Sequence, residues 1–581
     1  MRLSEGLDRG LWGRWRRAAG VAVAGALPML AFPAPSLWWF AYVALVPWML
    51  LVRSAPTARQ AAYDGWAGGF GFMVAVHHWL LPSLNVFLFV LAALLGALWA
   101  PWGLLVHRFL GPGPGSGTGA GPAGSAGRGA PPSGPRVAAA LLVVPCGWLL
   151  PELVRSWQGL GGPWGLLGAT QWQVGPALRL ASVGGVWLLS LLVAAVNVAV
   201  TALFLAVAPA RTWRRTAHGR AGSTAPSNAT TGDATTPITA TDIAAAVSVA
   251  VAGLAVVTLA VSAAWVWAPR PAVDGRARVA VVQSGIVSGD DSPERRFDRQ
   301  ESLTRRLAGQ DLDLVVWGES SVGFDLDERP DLARRLAALS RRLDADVLVD
   351  VDARRADRPG IYKSAILVGP DGPTGDRYDK MRLVPFGEYI PARSLLGWAT
   401  SVGKAAGENR RRGDEQVVMD VGHGLRVGPL VCFETAFPDM SRHLAADGAE
   451  LLLAQSSTSS FQHSWAPEQH ASLAALRAAE TGRPMVHATL TGVSAVYGPD
   501  GERLGSWLGT DDAGASAVYE VPLAHGTTPY VRHGDWPVHV ALLVLAAFCV
   551  TEGVRAYRAH AGVQVAADRS RTAVTTRSHS S

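Results

Sequence analysis

Gly428-Pro429-Leu430-Val431-Cys432-Phe433-Glu434 decides how the second half of this 581-residue chain is read. An apolar run of strand type ends on a thiol, and an acid follows two positions later. The chain has three cysteines, and the other two, Cys146 and Cys549, lie inside apolar segments of membrane type. One thiol in a polar stretch of about 250 residues cannot build a disulfide framework there and matches no zinc-ligand spacing. Two readings are left, a buried small hydrophobe or a nucleophile, and a solitary cysteine after a strand is more often the former.

Around that string, from Ala277 onward, short β-branched runs alternate with helical stretches. Val279-Ala280-Val281-Val282 reads as a buried strand, 294–308 as a helix, and Asp313-Leu314-Val315-Val316-Trp317 as the next strand. A helix over 332–343 and a strand over 346–351 follow, then a hairpin built on Ala365-Ile366-Leu367-Val368 and the turn Gly369-Pro370-Asp371-Gly372. Strands at 425–432 and 451–454 and a helix at 468–481, stopped by Gly482-Arg483-Pro484, complete the pattern. Strands alternating with helices indicate a layered α/β fold.

The first half differs in kind. Overall 49% of residues are apolar and 17% charged, but the acids are concentrated between about 276 and 523. Apolar runs long enough for ~30 Å of hydrocarbon start at 19–32, 37–51, 65–81 and 86–106, then at 137–154, 180–207, 243–267 and 536–550. About eight spans are therefore expected, the first two short and interrupted by proline. Arg14, Arg16 and Arg17 ahead of the first run suit an uncleaved anchor better than a signal peptide, since further spans follow and no small-x-small site does. Arginines fall in alternate loops, at 14–17, 53–59, 108–136, 211–220 and beyond 555. By the positive-inside rule those loops are cytoplasmic, and the polar domain lies outside. The net charge of +6 thus bears on topology, and no basic stripe interleaved with aromatics points to nucleic acid. The expected layout is a membrane domain over 1–270 with flexible loops at 111–135 and 221–241, a catalytic domain over 276–523, a last span over 536–553 and a disordered cytoplasmic tail over 560–581. There is no internal repeat.

Three polar residues stand at strand ends in the order Glu319, Lys380, Cys432. Glu319 follows Val315-Val316-Trp317-Gly318; Lys380 opens Lys380-Met381-Arg382-Leu383-Val384-Pro385-Phe386-Gly387-Glu388-Tyr389-Ile390-Pro391. Each alone has an ordinary reading, as a turn cap, a surface ion pair and a core thiol. Together, the signatures Trp-x-Glu-Ser, Lys-x-x-Leu-Val-Pro-Phe-Gly-Glu and Cys-x-Glu resemble the nitrilase, or carbon–nitrogen hydrolase, superfamily. The Leu-Val-Pro-Phe-Gly-Glu-Tyr-Ile-Pro string narrows the resemblance to the apolipoprotein N-acyltransferase family. Pro163-Trp164-Gly165-Leu166-Leu167-Gly168 and Gly184-Gly185-Val186-Trp187 resemble that family's membrane segments. Three places depart from its pattern: Gly318 stands where proline is usual, and Phe433 where tyrosine is common. Ser456-Ser457-Thr458-Ser459-Ser460-Phe461 replaces an Asn-Asp-x-Trp-Phe loop that helps shape the pocket.

The resemblance implies an extracytoplasmic αββα sandwich on a bacterial plasma-membrane domain, with no cofactor and no metal. It implies a ping-pong acyltransferase in which Cys432 takes an acyl chain from a phospholipid, and the α-amine of a diacylglyceryl-cysteine on an apolipoprotein receives it. Glu319 would act as base, and Lys380 would stabilise thiolate and oxyanion, with the Phe433 N–H as a second oxyanion donor. Glu388 would support Lys380 or the acceptor, and Glu434 would fix the nucleophile loop; for both, purely structural work is the alternative. The bilayer is the expected surroundings, and the chain is expected as a monomer. A membrane-tethered amidase and a silent scaffold paralogue are the competing readings. His77-His78 and the pair His463, His470 fit no metal spacing, and the 22 tryptophans read mostly as an interfacial belt.

Overall fold

A computed structural model describes residues 2–112, 131–219, 239–289, 291–391, 393–396, 408–512 and 514–577. The polar half forms two six-stranded sheets. In the first, β1 (Ala272–Gln283), β2 (Leu314–Trp317) and β3 (Asp346–Arg354) run parallel, and β4 (Ile361–Gly369) and β5 (Gly372–Asp379) follow antiparallel. In the second, β6 (Met419–Val421) pairs antiparallel with β7 (Leu425–Val431), which runs parallel to β8 (Leu451–Ser456) and β9 (Met485–Thr489). β10 (Ser494–Tyr497) and β11 (Arg503–Leu508) close that sheet, while β12 (Ala515–His525) pairs antiparallel with β1 in the first.

The period-2 alternation of a strand sorts the side chains into layers. Val279, Val281, Leu314, Val316 and Leu348 share one core with Val427, Leu452 and Val486 of the facing sheet. Their neighbours Ala280, Val282, Val315, Trp317 and Val347 pack instead against Phe297, Leu336 and Leu339 of the helices Ser292–Arg305 and Pro330–Leu343. Helices Pro438–Ala446 and Ala466–Thr481 belong to the second sheet's side, giving the αββα layering. Ala466–Thr481 is buried at every position but Glu468, because the membrane half covers its far side. A layer helix normally keeps one wet face; this one keeps none.

Among the described residues, five helices are long and apolar enough to cross a membrane: Phe87–Leu110, Gly134–Arg155, Gly175–Val207, Ala240–Trp267 and Trp536–Ala561. This is fewer than the eight spans expected. Arg2–Ala26 passes into a 3-10 turn, Leu27–Ala31, with proline at its start, and Val46–Arg53 is only eight residues long. Those short pieces and the helix Ala58–Val76 pack inside the bundle. Ala240–Trp267 has the opposite character, with a mean hydropathy of 2.4 and 11% of its apolar window buried. An apolar helix that buries so little of itself in protein has lipid as its natural surroundings.

The tryptophans divide into two sets. Trp39, Trp157, Trp265 and Trp267 are exposed, as a belt requires. Trp48, Trp99, Trp102 and Trp148 are instead fully buried and stack with one another at centroid distances from 4.7 to 5.9 Å. The expectation of a belt thus holds for only part of them, since large rings also fill the bundle's core.

Basic residues collect at one end of the bundle. Arg17 pairs with Asp64 at 2.6 Å, Arg53 donates to the Leu110 carbonyl, Arg136 donates to the Arg108 carbonyl, and Arg108 reaches Glu552. The sandwich sits at the other end, where Trp536 donates to the Val183 carbonyl at 2.9 Å. There Gly184 and Gly185 leave helical geometry inside Gly175–Gly219, and the Val186 N–H that follows donates to Glu480 of the sandwich at 2.7 Å. Most of the two stretches expected as flexible loops lies outside the described residues. The last helix runs Trp536–Arg577, so the segment from 560 to 577 is helical where a disordered tail is expected.

Candidate active site

Three strands deliver the expected trio. Glu319 lies two residues past β2, Lys380 directly follows β5, and Cys432 directly follows β7. β2 and β7 are apolar and largely buried, so Glu319 and Cys432 emerge where those ladders end, whereas β5 is polar and half-exposed and turns inward only at Tyr378, just before Lys380. Cys432 has φ of 54°, a left-handed conformation costly for a residue with a Cβ, and begins the 3-10 turn Cys432–Ala436. That turn is held from several sides. Glu434 accepts from Val431 N–H at 2.8 Å with one oxygen, and from Tyr378 O–H, Met381 N–H and Arg382 N–H at 2.7, 2.8 and 2.9 Å with the other. One carboxylate therefore ties the nucleophile turn to the segment that carries Lys380. From the other side, a His470 ring nitrogen donates to the Cys432 carbonyl at 3.0 Å.

The charged groups form a closed set. Lys380 Nζ lies 3.0 Å from Glu319 Oε1 and 2.7 Å from Glu388 Oε1. The second oxygen of Glu388 accepts from the Val384 N–H at 2.8 Å, which fixes its own loop. Lys363, absent from the sequence reading, donates to the same Glu319 oxygen at 2.8 Å and lies 3.1 Å from the same Glu388 oxygen. Glu319, Lys380 and Glu388 are all buried. The Cys432 thiol donates to the Ser457 carbonyl at 3.9 Å and lies close enough to Glu319 for each group to affect the other's ionisation.

Charge states follow from these contacts. Burial pushes the Cys432 thiol up and Glu319 beside it adds to this, while Lys380 and Lys363 pull the other way without prevailing. Burial also penalises the Glu319 carboxylate, but Lys363 and Lys380 outweigh it and hold the group well below the usual carboxylate range. Lys380 is penalised by burial too, yet Glu319 and Glu388 hold it well above an ordinary lysine. The resting site is thus thiol, carboxylate and ammonium, not the preformed thiolate that a cation alone would produce. A thiol in that state needs a proton acceptor before it can attack anything, and Glu319 is the ionised carboxylate beside it. Asp350, behind Glu319, is pushed up to about 7 by burial and by the neighbouring carboxylate. His470 is pushed down to about 4, first by burial, and stays neutral.

The departures have local accounts. A Cβ on Gly318 would stand 1.9 Å from the Leu490 nitrogen, so the chain passes β9 too closely for a side chain. The Ser456 carbonyl accepts from the Glu319 and Leu490 N–H groups at 3.2 and 2.8 Å, so the substituted loop still braces Glu319. Phe433 is buried and packs edge-on against Phe437 at 5.0 Å. The membrane half reaches this turn as well. Gly162, at φ of 71°, lies so close that a Cβ there would meet the Phe433 ring at 2.7 Å. Gln469, next to His470, accepts from Trp164 Nε1–H and donates to the Pro33 carbonyl, both at 2.9 Å.

Comparison with known proteins bears on the whole length. Residues 278–516 match the carbon-nitrogen hydrolase family, and residues 24–199 match the apolipoprotein N-acyltransferase N-terminal domain. Along most of its length the chain is similar to apolipoprotein N-acyltransferases. Proteins named apolipoprotein N-acyltransferase from Geobacter metallireducens and Azotobacter vinelandii are each 29% identical to it. The first match covers 90% of this chain and 94% of the relative, the second 94% and 97%. One from Pseudomonas aeruginosa is 28% identical over 89% of this chain and 92% of the relative. An amidase of known structure from Nesterenkonia sp. is 21% identical, with 46% of this chain and 97% of that chain covered at a TM-score of 0.32.

The sequence reading missed two groups, Lys363 and the buried Asp350, and took His470 only as a residue of no metal spacing, not as the partner of the Cys432 carbonyl. In Ile361-Tyr362-Lys363-Ser364 the lysine reads as the solvent face of a hairpin. Its partner across the ladder is Asp352, and both turn inward. The pairing of two charges across β3 and β4 is the signal that strand register alone would have supplied.

Proposed function

We propose that the protein transfers a fatty acyl chain from a membrane phospholipid to the N-terminal α-amine of a diacylglyceryl-cysteine on an apolipoprotein, through a thioester on Cys432. The observation that carries this reading is the meeting of Cys432, Glu319 and Lys380 in one buried site, in a sandwich seated on apolar helices. The relatives' shared name supports an apolipoprotein as the acceptor. In the first half-reaction the Cys432 proton passes to Glu319 as sulfur attacks the ester carbonyl. The oxyanion forms against the Lys380 ammonium, with the Phe433 N–H as second donor. Collapse releases lysophospholipid, which takes the proton from Glu319. In the second half-reaction the amine attacks the thioester, gives its proton to Glu319 and expels the thiol.

Exposure of a lipid chain sets the need for the membrane half. At ~0.8 kcal/mol per methylene, drawing a sixteen-carbon chain into water costs on the order of 12 kcal/mol. A site opening toward the bilayer avoids that cost and keeps water from the thioester. The arginine-rich end of the bundle lies opposite the sandwich, which supports an extracytoplasmic active site. The test is direct: incubate purified protein with labelled phospholipid and search Cys432 for an acyl adduct by mass spectrometry. The reading requires an adduct in wild type and none in Cys432→Ser; an unmodified wild-type thiol rejects it.

A further inference from the structure

Lys363 is a largely enclosed cation, its side chain 12% exposed, that the chemistry above does not use, and its placement is specific. β3 and β4 pair Asp352 with Lys363, and the Lys380 N–H donates to the Lys363 carbonyl at 2.8 Å, so the two lysines leave adjacent strands together. Their ammonium groups alternate with Glu319 Oε1 and Glu388 Oε1 in a four-membered ring of charges, with contacts of 2.7, 2.8, 3.0 and 3.1 Å. One lysine suffices to stabilise an oxyanion; a second on the same carboxylate oxygen has a different consequence. We propose that Lys363 is a positioning residue that keeps the base Glu319 ionised throughout the working pH range, leaving Lys380 available to the oxyanion.

The surroundings make this a task for Lys363. Glu319 is faced by Cys432, Asp350 and His470 as well as by the two lysines, and Glu388 lies across the ring. Asp352 is 3.9 Å from Lys363 and is itself engaged by Arg410 at 3.2 Å, so it does not neutralise the lysine alone. Without Lys363, a buried carboxylate would keep a single cation that Glu388 already shares. Burial would then favour the protonated acid, which cannot accept a proton from the thiol.

The proposal rests on Cys432 and Glu319 as nucleophile and base, and its test needs no lipoprotein acceptor. Purified full-length protein in detergent is mixed with a p-nitrophenyl acyl ester. The burst of nitrophenolate, released as the sulfur–acyl bond forms and the ester C–O bond breaks, is followed from pH 5 to 9. Wild type should change less than about twofold across that range. Lys363→Met should develop an acid limb, its burst rate at pH 5.5 falling at least about tenfold below that at pH 8, since one pH unit of displacement is tenfold. Lys363→Asn, a second neutral variant of smaller volume, should show the same limb, and Lys363→Arg should restore the flat profile. A neutral variant that loses rate equally at every pH, or keeps the wild-type shape, overturns the proposal. Wild-type protein that loads Cys432 yet passes nothing to an amine would count against the acyltransferase reading alone.

Discussion

Four donors converge on Glu434, so its two oxygens are fully used, three N–H groups and one O–H against them. Glu434→Gln replaces one acceptor by an NH2 group and sets it against a buried donor. An orphaned buried donor costs about 1–3 kcal/mol. We expect that loss in a denaturation midpoint, with a fall in the Cys432 acylation rate because the same carboxylate holds the nucleophile turn. Asp350 makes a prediction of opposite sign. Its carboxyl is raised to about 7 in the fold by burial and by Glu319, against about 4 in the unfolded chain. The folded state therefore binds the proton more tightly. That contribution to stability is complete below about pH 4 and is lost as pH rises through about 7. Asp350→Asn has no proton to lose. Its melting temperature relative to wild type should improve between pH 5.5 and pH 8.5, and an unchanged difference would show that Asp350 does not titrate in the fold.

Elements show why some of this was legible in the sequence and some was not. β2 and β7 are apolar runs that end in a lone acid and a lone thiol, so both could be placed before any coordinates. β9 to β12 follow a helix stop in a stretch of mixed polarity, and β12 returns to pair with β1 across more than two hundred residues, which no local pattern announces. Lys363 was hidden for the same reason, because its burial depends on antiparallel register. Five helices reach the length and hydropathy of a span against about eight expected, because the remaining stretches are proline-broken pieces and a glycine-rich helix that pack among the others. The segment around Gly162 belongs to that half and touches the nucleophile turn. Gly162→Ala would force a side chain into the left-handed region, at about 1–2 kcal/mol, and against the Phe433 ring. We expect slower acylation of Cys432 with the sandwich still folded, as read by burst rate alongside circular dichroism.

The whole molecule places its candidate site at one end of a bundle and Arg17, Arg53, Arg108 and Arg136 at the other. In intact cells, a membrane-impermeant maleimide should label Ser506→Cys on the exposed β11 strand and spare Tyr557→Cys until the membrane is opened; the reverse pattern would invert the topology. The two half-reactions should also differ in pH response. Acylation should be level near neutrality because Glu319 stays ionised, whereas transfer should climb toward about pH 8 as the acceptor α-amine loses its proton. Single-turnover measurement of each step separates them. Finally, adjacent residues on one helix face two ways: Gln469 is fastened to Trp164 and Pro33 in the bundle, and His470 to the carbonyl of Cys432. We expect a tilt of the helices forced by a thinner or thicker bilayer to reach Cys432 through this pair of contacts. Turnover in nanodiscs of graded lipid length should respond to hydrophobic thickness even when the donor is held constant, making this enzyme a gauge of the membrane in which it sits.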